Sequence, residues 1–92
     1  MGLAISTMTT SPINGMRILA MSGSSGWYVF GGPEASADPH FYSALCTTHL
    51  RKYCEIAIPY LCLPPGWRFQ IDAHGYEDVW YDETLVKRKT DS

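Results

Sequence analysis

The sequence offers little that would attract a nucleic acid or enter a membrane. Its 92 residues include seven Lys and Arg against nine Asp and Glu, a net charge of −2, so it lacks the basic surface that draws phosphate backbones. No stretch approaches the roughly 20 apolar residues of a transmembrane helix, and the N-terminus has no basic segment followed by a long apolar one. We therefore expect a cytoplasmic protein that contacts neither nucleic acid nor membrane.

Cysteine is also scarce, and its pattern argues against a disulfide framework or a metal site. The three cysteines, an odd number, are Cys46, Cys54 and Cys62, and we expect them to be reduced, small apolar residues. No paired C-x-x-C or H-x-x-x-H unit is present, and Cys46 with His49 lacks further ligands or an orienting third residue. No Lys-Ser or Lys-Thr pair stands directly after either glycine-rich stretch, so the sequence predicts no phosphate loop, metal or cofactor.

Two hairpins are predicted from short β-prone runs separated by turn residues. Residues 17–21 (RILAM) and 27–30 (WYVF) flank a Ser/Gly-rich stretch, which is typical of a chain reversal. Residues 67–71 (WRFQI) alternate as a half-buried strand does. Residues 73–75 then turn the chain, and residues 79–81 (VWY) return beside that strand.

A helix is predicted between the hairpins. Asp38-Pro39 suits a helix start, because Asp caps free N–H groups and Pro has its dihedral preset. Apolar residues follow at near-helical spacing: Phe41, Leu45, Leu50, Tyr53 and Cys54. This pattern predicts one main helix over residues 40–53. Residues 55–61 (EIAIPYL) fit either a strand or a helical turn, of which we favour the helical turn.

The predicted fold class is therefore α+β. A small antiparallel sheet of about four strands would be packed by one main helix, in the order β-β-α-β-β. We expect residues 1–15 to be a flexible N-terminal extension, residues 16–86 to form a single domain, and residues 87–92 to be a charged tail.

Acidic and aromatic residues are dense near the end of the predicted domain. The candidate partner-binding residues there are Glu77, Asp78, Trp80, Asp82 and Glu83. Two carboxylates held together could perform acid/base chemistry, but these acids fall at strand ends and turns, where exposure is typical. An exposed Trp beside carboxylates has the composition of a protein-binding hot spot, so we expect a docking surface and no enzyme.

An ordered series of residues extends from Gly26 to about Leu85. It comprises Gly26-Trp27-Tyr28-Val29-Phe30 with Gly32 and Glu34, Asp38-Pro39, Tyr60-Leu61, Leu63-Pro64-Pro65-Gly66-Trp67-Arg68-Phe69, and Tyr76-Glu77-Asp78-Val79-Trp80-Tyr81-Asp82. This series resembles the bacterial immunity protein family 33 of polymorphic-toxin systems. Its residues are rich in Pro, Gly and Trp, which are residue types that a fold needs.

The resemblance implies a small cytoplasmic protein that binds and blocks a cognate toxin encoded beside it, with no enzymatic activity and no cofactor. If that toxin is basic, as a nuclease is, Glu77, Asp78, Asp82 and Glu83 could mimic phosphates and steer association. The alternative is a small domain that binds a metabolite or a peptide in the groove between sheet and helix. A third possibility is a small hydrolase that uses the carboxylates or Cys46.

Overall fold

A six-stranded mixed sheet is the main element of the computed structural model, which describes residues 1–19, 25–36, 38, 40–44 and 46–86. The strands are β1 (Gly2–Leu3), β2 (Ile13–Arg17), β3 (Trp27–Gly31), β4 (Ser43–Ala44), β5 (Trp67–Ile71) and β6 (Glu77–Tyr81). They lie in the order β4-β1-β3-β2-β5-β6. β1 runs parallel to β3, and the other neighbours are antiparallel. The predicted β5–β6 hairpin is confirmed. The first predicted hairpin is present as β2–β3, but its first strand is Ile13–Arg17 and shares only Arg17 with the strand predicted over residues 17–21. Residues 18 and 19 are not in a strand, and residues 20 and 21 lie outside the described residues.

Short helical segments cover one face of the sheet. They are α1 (Leu50–Tyr53) and the 3₁₀ helix Glu55–Cys62, with single 3₁₀ turns at Ile5–Thr7, Thr47–His49 and Glu83–Leu85. The helical turn predicted for residues 55–61 is confirmed, although its 3₁₀ form and Pro59 make it tighter than an α-helix and poorer in hydrogen bonds. The fold is α+β, with more strands and less helix than the sequence predicts.

The hydrophobic core lies between these helices and the sheet. Its buried members are Leu3, Ile13, Trp27, Val29, Leu50, Cys54, Ala57, Phe69 and Ile71. Phe69 has no exposed surface; its ring is stacked 4.9 Å from that of Tyr60 and lies 5.6 Å from that of Trp27. Residues paired directly across a sheet share a face, so Gly15, opposite both Val29 and Phe69, also faces this core.

The N-terminal residues contribute to the sheet, where the sequence predicts a flexible extension before residue 16. Leu3 and Ala4 are fully buried, and β2 begins at Ile13. Gly2 lies against the ring of Tyr28, where an added Cβ would come 2.6 Å from Cδ1. A two-residue strand of Gly and Leu has no alternating pattern to recognise, so β1 was not predictable. The expected tail, residues 87–92, lies outside the described residues.

The prediction of one helix over residues 40–53 is wrong. Asp38 does cap a turn, because its carboxylate accepts the N–H of His40 at 2.9 Å, but the chain does not continue as a helix. Phe41 lies 6.2 Å from the ring of Phe30 on the sheet face opposite the core, whereas Leu50 is buried in the core. One continuous helix cannot serve both faces, so the chain extends as β4 before α1. Pro39 and Leu45 lie outside the described residues.

The Pro-Pro-Gly corner is fixed to the end of β2. The N–H of Gly66 donates to the carbonyl of Arg17 at 2.7 Å, and its own carbonyl accepts the N–H of Asp82 at 2.7 Å. The guanidinium of Arg17 donates to the carbonyls of Ser25 at 2.9 Å and Leu63 at 2.7 Å. The corner therefore sets where the β5–β6 hairpin starts.

Replacing Gly66 with Ala should lower the free energy of unfolding by about 2 kcal/mol. Gly66 has φ +95°, and an added Cβ would lie 2.5 Å from Cε1 of Tyr81. Gly75 is a matched control, because it also has φ +95° but has nothing within 4 Å of the added Cβ. Gly75→Ala should therefore cost only the backbone strain, about 1 kcal/mol. Equal losses in urea unfolding would show that contact with Tyr81 does not matter.

Candidate functional site

The β5–β6 hairpin carries the five candidate residues but does not place them on one surface. Asp78 pairs with Gln70 and Trp80 with Arg68, on the sheet face opposite the core. Glu77 alternates with them and lies on the core side of β6. Asp82 and Glu83 follow the strand at the start of the last 3₁₀ turn.

The hairpin turn is organised by Asp72. Its Oδ1 accepts the N–H groups of His74 at 2.8 Å and Tyr76 at 3.0 Å. These two backbone hydrogen bonds, that of Tyr76 first, lower the pKa of the Asp72 carboxyl. This carboxylate therefore has a structural role in the turn.

Asp82 is also held by its neighbours. Its Oδ1 accepts from the hydroxyl of Thr84 at 2.5 Å and from the backbone N–H of Thr84 at 3.0 Å. Its Oδ2 accepts from Nη1 of Arg68 at 3.1 Å, and that guanidinium lies 5.5 Å from the ring centre of Trp80. Hydrogen bonds from the Thr84 hydroxyl and then Arg68 lower the pKa of Asp82. Asp82 and Trp80 thus stabilise the end of the hairpin.

Asp82 should make the stability of the protein sensitive to acid. Its pKa is depressed in the folded state, so its contribution is present above the unfolded value of about 4 and is lost as the pH falls through the folded pKa. Asp82→Asn can still cap the turn but lacks the charge. We expect the variant to have a lower urea midpoint than the wild type at neutral pH, with the difference shrinking in acid. A difference that does not change with pH would contradict this role.

Glu77 connects the hairpin to the helical layer. Its carboxylate accepts a hydrogen bond from the hydroxyl of Tyr60, and the Tyr60 ring stacks on Phe69 in the core. This hydrogen bond is the main cause of the raised pKa of Tyr60. The position of the exposed Glu77 is therefore fixed by a contact that reaches the core.

The side chains of Asp78 and Glu83 are exposed and form no hydrogen bond or ion pair with the other described residues. The sequence from residue 72 to residue 86 contains five acidic residues and neither Lys nor Arg. We call Glu77, Asp78, Asp82 and Glu83 the acidic flank. The acidic flank extends along β6 and into the turn after it. The carboxylates of Glu77 and Asp82 are held by hydrogen bonds, whereas those of Asp78 and Glu83 are not.

Sequence reasoning missed two residues that shape this flank, Arg68 and Tyr60. Arg68 lies in the alternating run 67–71 and in the ordered series, neither of which predicted a role for it, although it contacts both Asp82 and Trp80. The alternation of residues 67–71 places Arg68 on the face of Trp80 once the hairpin register is known. No local sequence pattern indicates the role of Tyr60, because its partner Glu77 is 17 residues away.

Other reactive side chains do not assemble into a site. Cys46, Cys54 and Cys62 are all free thiols, and a hydrogen bond from Thr48 lowers the pKa of Cys46. Within the described ranges, no three or more His, Cys, Asp and Glu side chains are placed to hold a metal ion. The longest helix in that part of the chain has eight residues, so none there could traverse a bilayer.

Comparison with known families identifies the relationship. A family model described as the Imm33-like domain matches residues 1–82. The chain belongs to the Imm33-like domain family. The resemblance to immunity protein family 33 is thus confirmed, and the match includes β1 as well as the β5–β6 hairpin. No curated protein and no solved structure matches the chain.

Three residues of the ordered series are buried or sterically required in this Imm33-like domain. Trp27 is 1% exposed and Phe69 fully buried, and the indole N–H of Trp27 donates to the carbonyl of Leu61 at 3.1 Å. Gly26 is required because an added Cβ would lie 2.4 Å from the carbonyl oxygen of Ile18. Asp78 also lies within the matched residues, but its side chain is exposed and its carboxylate has no partner among the described residues, which sets it apart from these structural positions.

Proposed function

We propose that this protein is an immunity protein that binds a cognate bacterial toxin by direct contact and neutralises it. Membership of the Imm33-like domain family over residues 1–82 carries the proposal. The protein acts in the cytoplasm of the producing or sibling cell, without enzymatic activity or a cofactor. Its partner is the toxin encoded beside it.

The acidic flank supports binding to a basic toxin. Carboxylates concentrated along one strand and one turn create a negative potential that speeds the approach of a positively charged partner. Asp78 and Glu83 have no competing partner among the described residues, so their charge is available to the toxin. A nuclease, whose active site binds phosphates, fits this charge.

The surroundings of the flank also suit inhibition. Glu77 is tied to Tyr60, Asp82 is tied to Arg68 and Thr84, and Asp72 closes the hairpin turn. A binding surface that is already ordered loses less conformational entropy on association. The hairpin can therefore hold a toxin without first being ordered by it.

A metabolite-binding role receives less support. A depression lined by Met8, Thr10, Ile13, Ile56 and Asp72, among others, has a volume of about 170 Å³. Pockets that enclose small molecules usually have about 300–1,000 Å³. This depression is smaller than that range and therefore does not itself support the metabolite alternative.

Co-purification tests the proposal. The toxin domain encoded beside this gene, inactivated and tagged, is expressed together with the untagged protein. We expect a stable complex that survives gel filtration. Recovery of the tagged toxin without this protein, although both are folded and present, would refute the proposed function.

Charge reversal should slow association. Asp78→Lys combined with Glu83→Lys removes two exposed negative charges and adds two positive ones, so we expect the association rate with the toxin to fall by roughly tenfold at low salt. The matched control is Glu34→Lys, an exposed position in the loop after β3. Stopped-flow kinetics at several salt concentrations give the rates. Equal rates for the double variant and the control would remove the acidic flank from the interface.

A further inference from the structure

Within the part of the chain that the structure describes, β6 is an edge strand with no neighbour on its outer side. The strand order ends with β6 beyond β5, and the opposite edge is the two-residue β4. β6 has five residues, Glu77–Tyr81, paired with β5 in an uninterrupted register. It is therefore the longer of the two edges to which another strand could be added.

The register shows which backbone groups of β6 face outward. The backbone N–H of Asp82 donates to the carbonyl of Gly66 at one end of the paired region, and the backbone N–H of Asp72 donates to the carbonyl of Tyr76 at the other end. Hydrogen-bonded pairs alternate along an antiparallel ladder, so Asp78 and Trp80 point their N–H and C=O groups toward β5. The N–H and C=O groups of Glu77, Val79 and Tyr81 consequently point away from the sheet.

This edge lacks several of the usual barriers to strand addition. Native edges are commonly protected by proline, lysine or a bulge, and β6 contains neither residue and is paired without a bulge. Among the described residues, its protection consists of acidic side chains. Acidic side chains repel an acidic strand but attract a basic one.

We propose that an extended segment of the toxin adds to β6 as a seventh strand, with Lys or Arg opposite Glu77 and Asp78. This inference rests on the proposed function. Main-chain hydrogen bonds to Glu77, Val79 and Tyr81 supply affinity, and the two acids, on opposite faces of the strand, select a segment that is basic on both faces. Val79 and Trp80 are both half-buried and can make apolar contacts with the side chains of the added segment.

A second copy of this chain fits the edge less well. Pairing β6 with β6 would bring Glu77 and Asp78 of both copies to one seam, together with the Asp82 and Glu83 that follow. No Lys or Arg occurs between residues 72 and 86, and Arg68 offsets only the charge of Asp82. The edge is therefore complementary to a basic partner and repels its own copy.

Amide hydrogen exchange of the wild-type protein, measured by NMR with and without the inactivated toxin domain, tests the proposal. We expect the toxin to slow exchange at Glu77, Val79 and Tyr81 by at least tenfold, because new hydrogen bonds form there. Asp78 and Trp80, already bonded to β5, should change less. If a complex forms and the three outward amides exchange as before, strand addition is wrong while the proposed function stands. If no complex forms, the proposed function itself fails.

Two variants at Val79 test the same point by affinity. Val79→Pro removes an outward N–H without removing a bond to β5, and edge strands tolerate proline. Val79→Ala is the matched control, because it loses the same side-chain packing but keeps the N–H. We expect the proline variant to bind the toxin at least roughly tenfold more weakly than the alanine variant. Equal affinities would overturn the proposal, and if the proline variant does not fold, the exchange pattern decides.

Discussion

Replacing Phe69 with Ala should lower the free energy of unfolding by about 3–5 kcal/mol. Phe69 is fully buried, and its ring is in contact with those of Tyr60 and Trp27 at 4.9 and 5.6 Å. The substitution removes both ring contacts and leaves a cavity that the sheet cannot close. Domains of this size have about 5–15 kcal/mol of stability in total, so the variant should be partly unfolded at 37 °C.

The control for Phe69→Ala is an aromatic residue on the same hairpin. Tyr76 is 47% exposed, and its hydroxyl donates to Gln70 at 3.2 Å. Tyr76→Ala should cost no more than about 1 kcal/mol. Thermal and urea unfolding give both values, and similar losses would mean that the core is not centred on Phe69.

Replacing Gly15 with Ala should cost about 3 kcal/mol, at the upper end for overpacking of a core. An added Cβ would lie 2.1 Å from Cε2 of Phe69, whose ring is fully buried beside those of Tyr60 and Trp27. Gly15 sits in the middle of β2, between β3 and β5. The glycine is thus required by the space that the ring occupies.

A double variant tests this explanation. Phe69→Leu replaces the ring with a smaller side chain. This frees part of the space that the methyl group of Gly15→Ala occupies. Gly15→Ala should therefore cost less in the Phe69→Leu background than in the wild type, with a coupling of about 1–2 kcal/mol. Additive losses in urea unfolding would show that Phe69 is not what excludes a side chain at residue 15.

The sequence predicts those parts of the fold whose signal is local. The β5–β6 hairpin follows from alternation in WRFQI, a turn with Gly75, and a second β-prone run. The β2–β3 hairpin follows only in part, because β3 matches the run WYVF whereas β2 is Ile13–Arg17 and shares only Arg17 with the predicted strand. Pairing partners that are close in sequence leave their pattern in the sequence itself.

The missed elements depend on distant contacts. β1 is two residues long and exists because it pairs with β3 and β4. The prediction of a helix over residues 40–53 is wrong because Phe41 and Leu50 pack against opposite faces of the sheet. Periodicity alone cannot distinguish apolar residues that pack on opposite faces of a sheet from apolar residues on one face of a helix.

The sequence predicts where the acidic candidate residues lie, but it does not predict which side chains they contact. Carboxylates were expected at strand ends, where Asp82 and Glu83 lie. Their roles depend on partners that the sequence does not reveal, since Asp82 is engaged by Arg68, 14 residues away, and Glu77 by Tyr60. The open edge of β6 depends on the strand order, which single-strand patterns do not encode.

Neutralisation is tested most directly by growth. Cells expressing the toxin domain encoded beside this gene are plated with the wild-type protein, with the destabilised Phe69→Ala variant, or with neither, at matched expression levels. We expect the wild type to restore growth to that of cells without toxin and the variant to restore much less. Death of the cells despite abundant, folded wild-type protein would contradict the account.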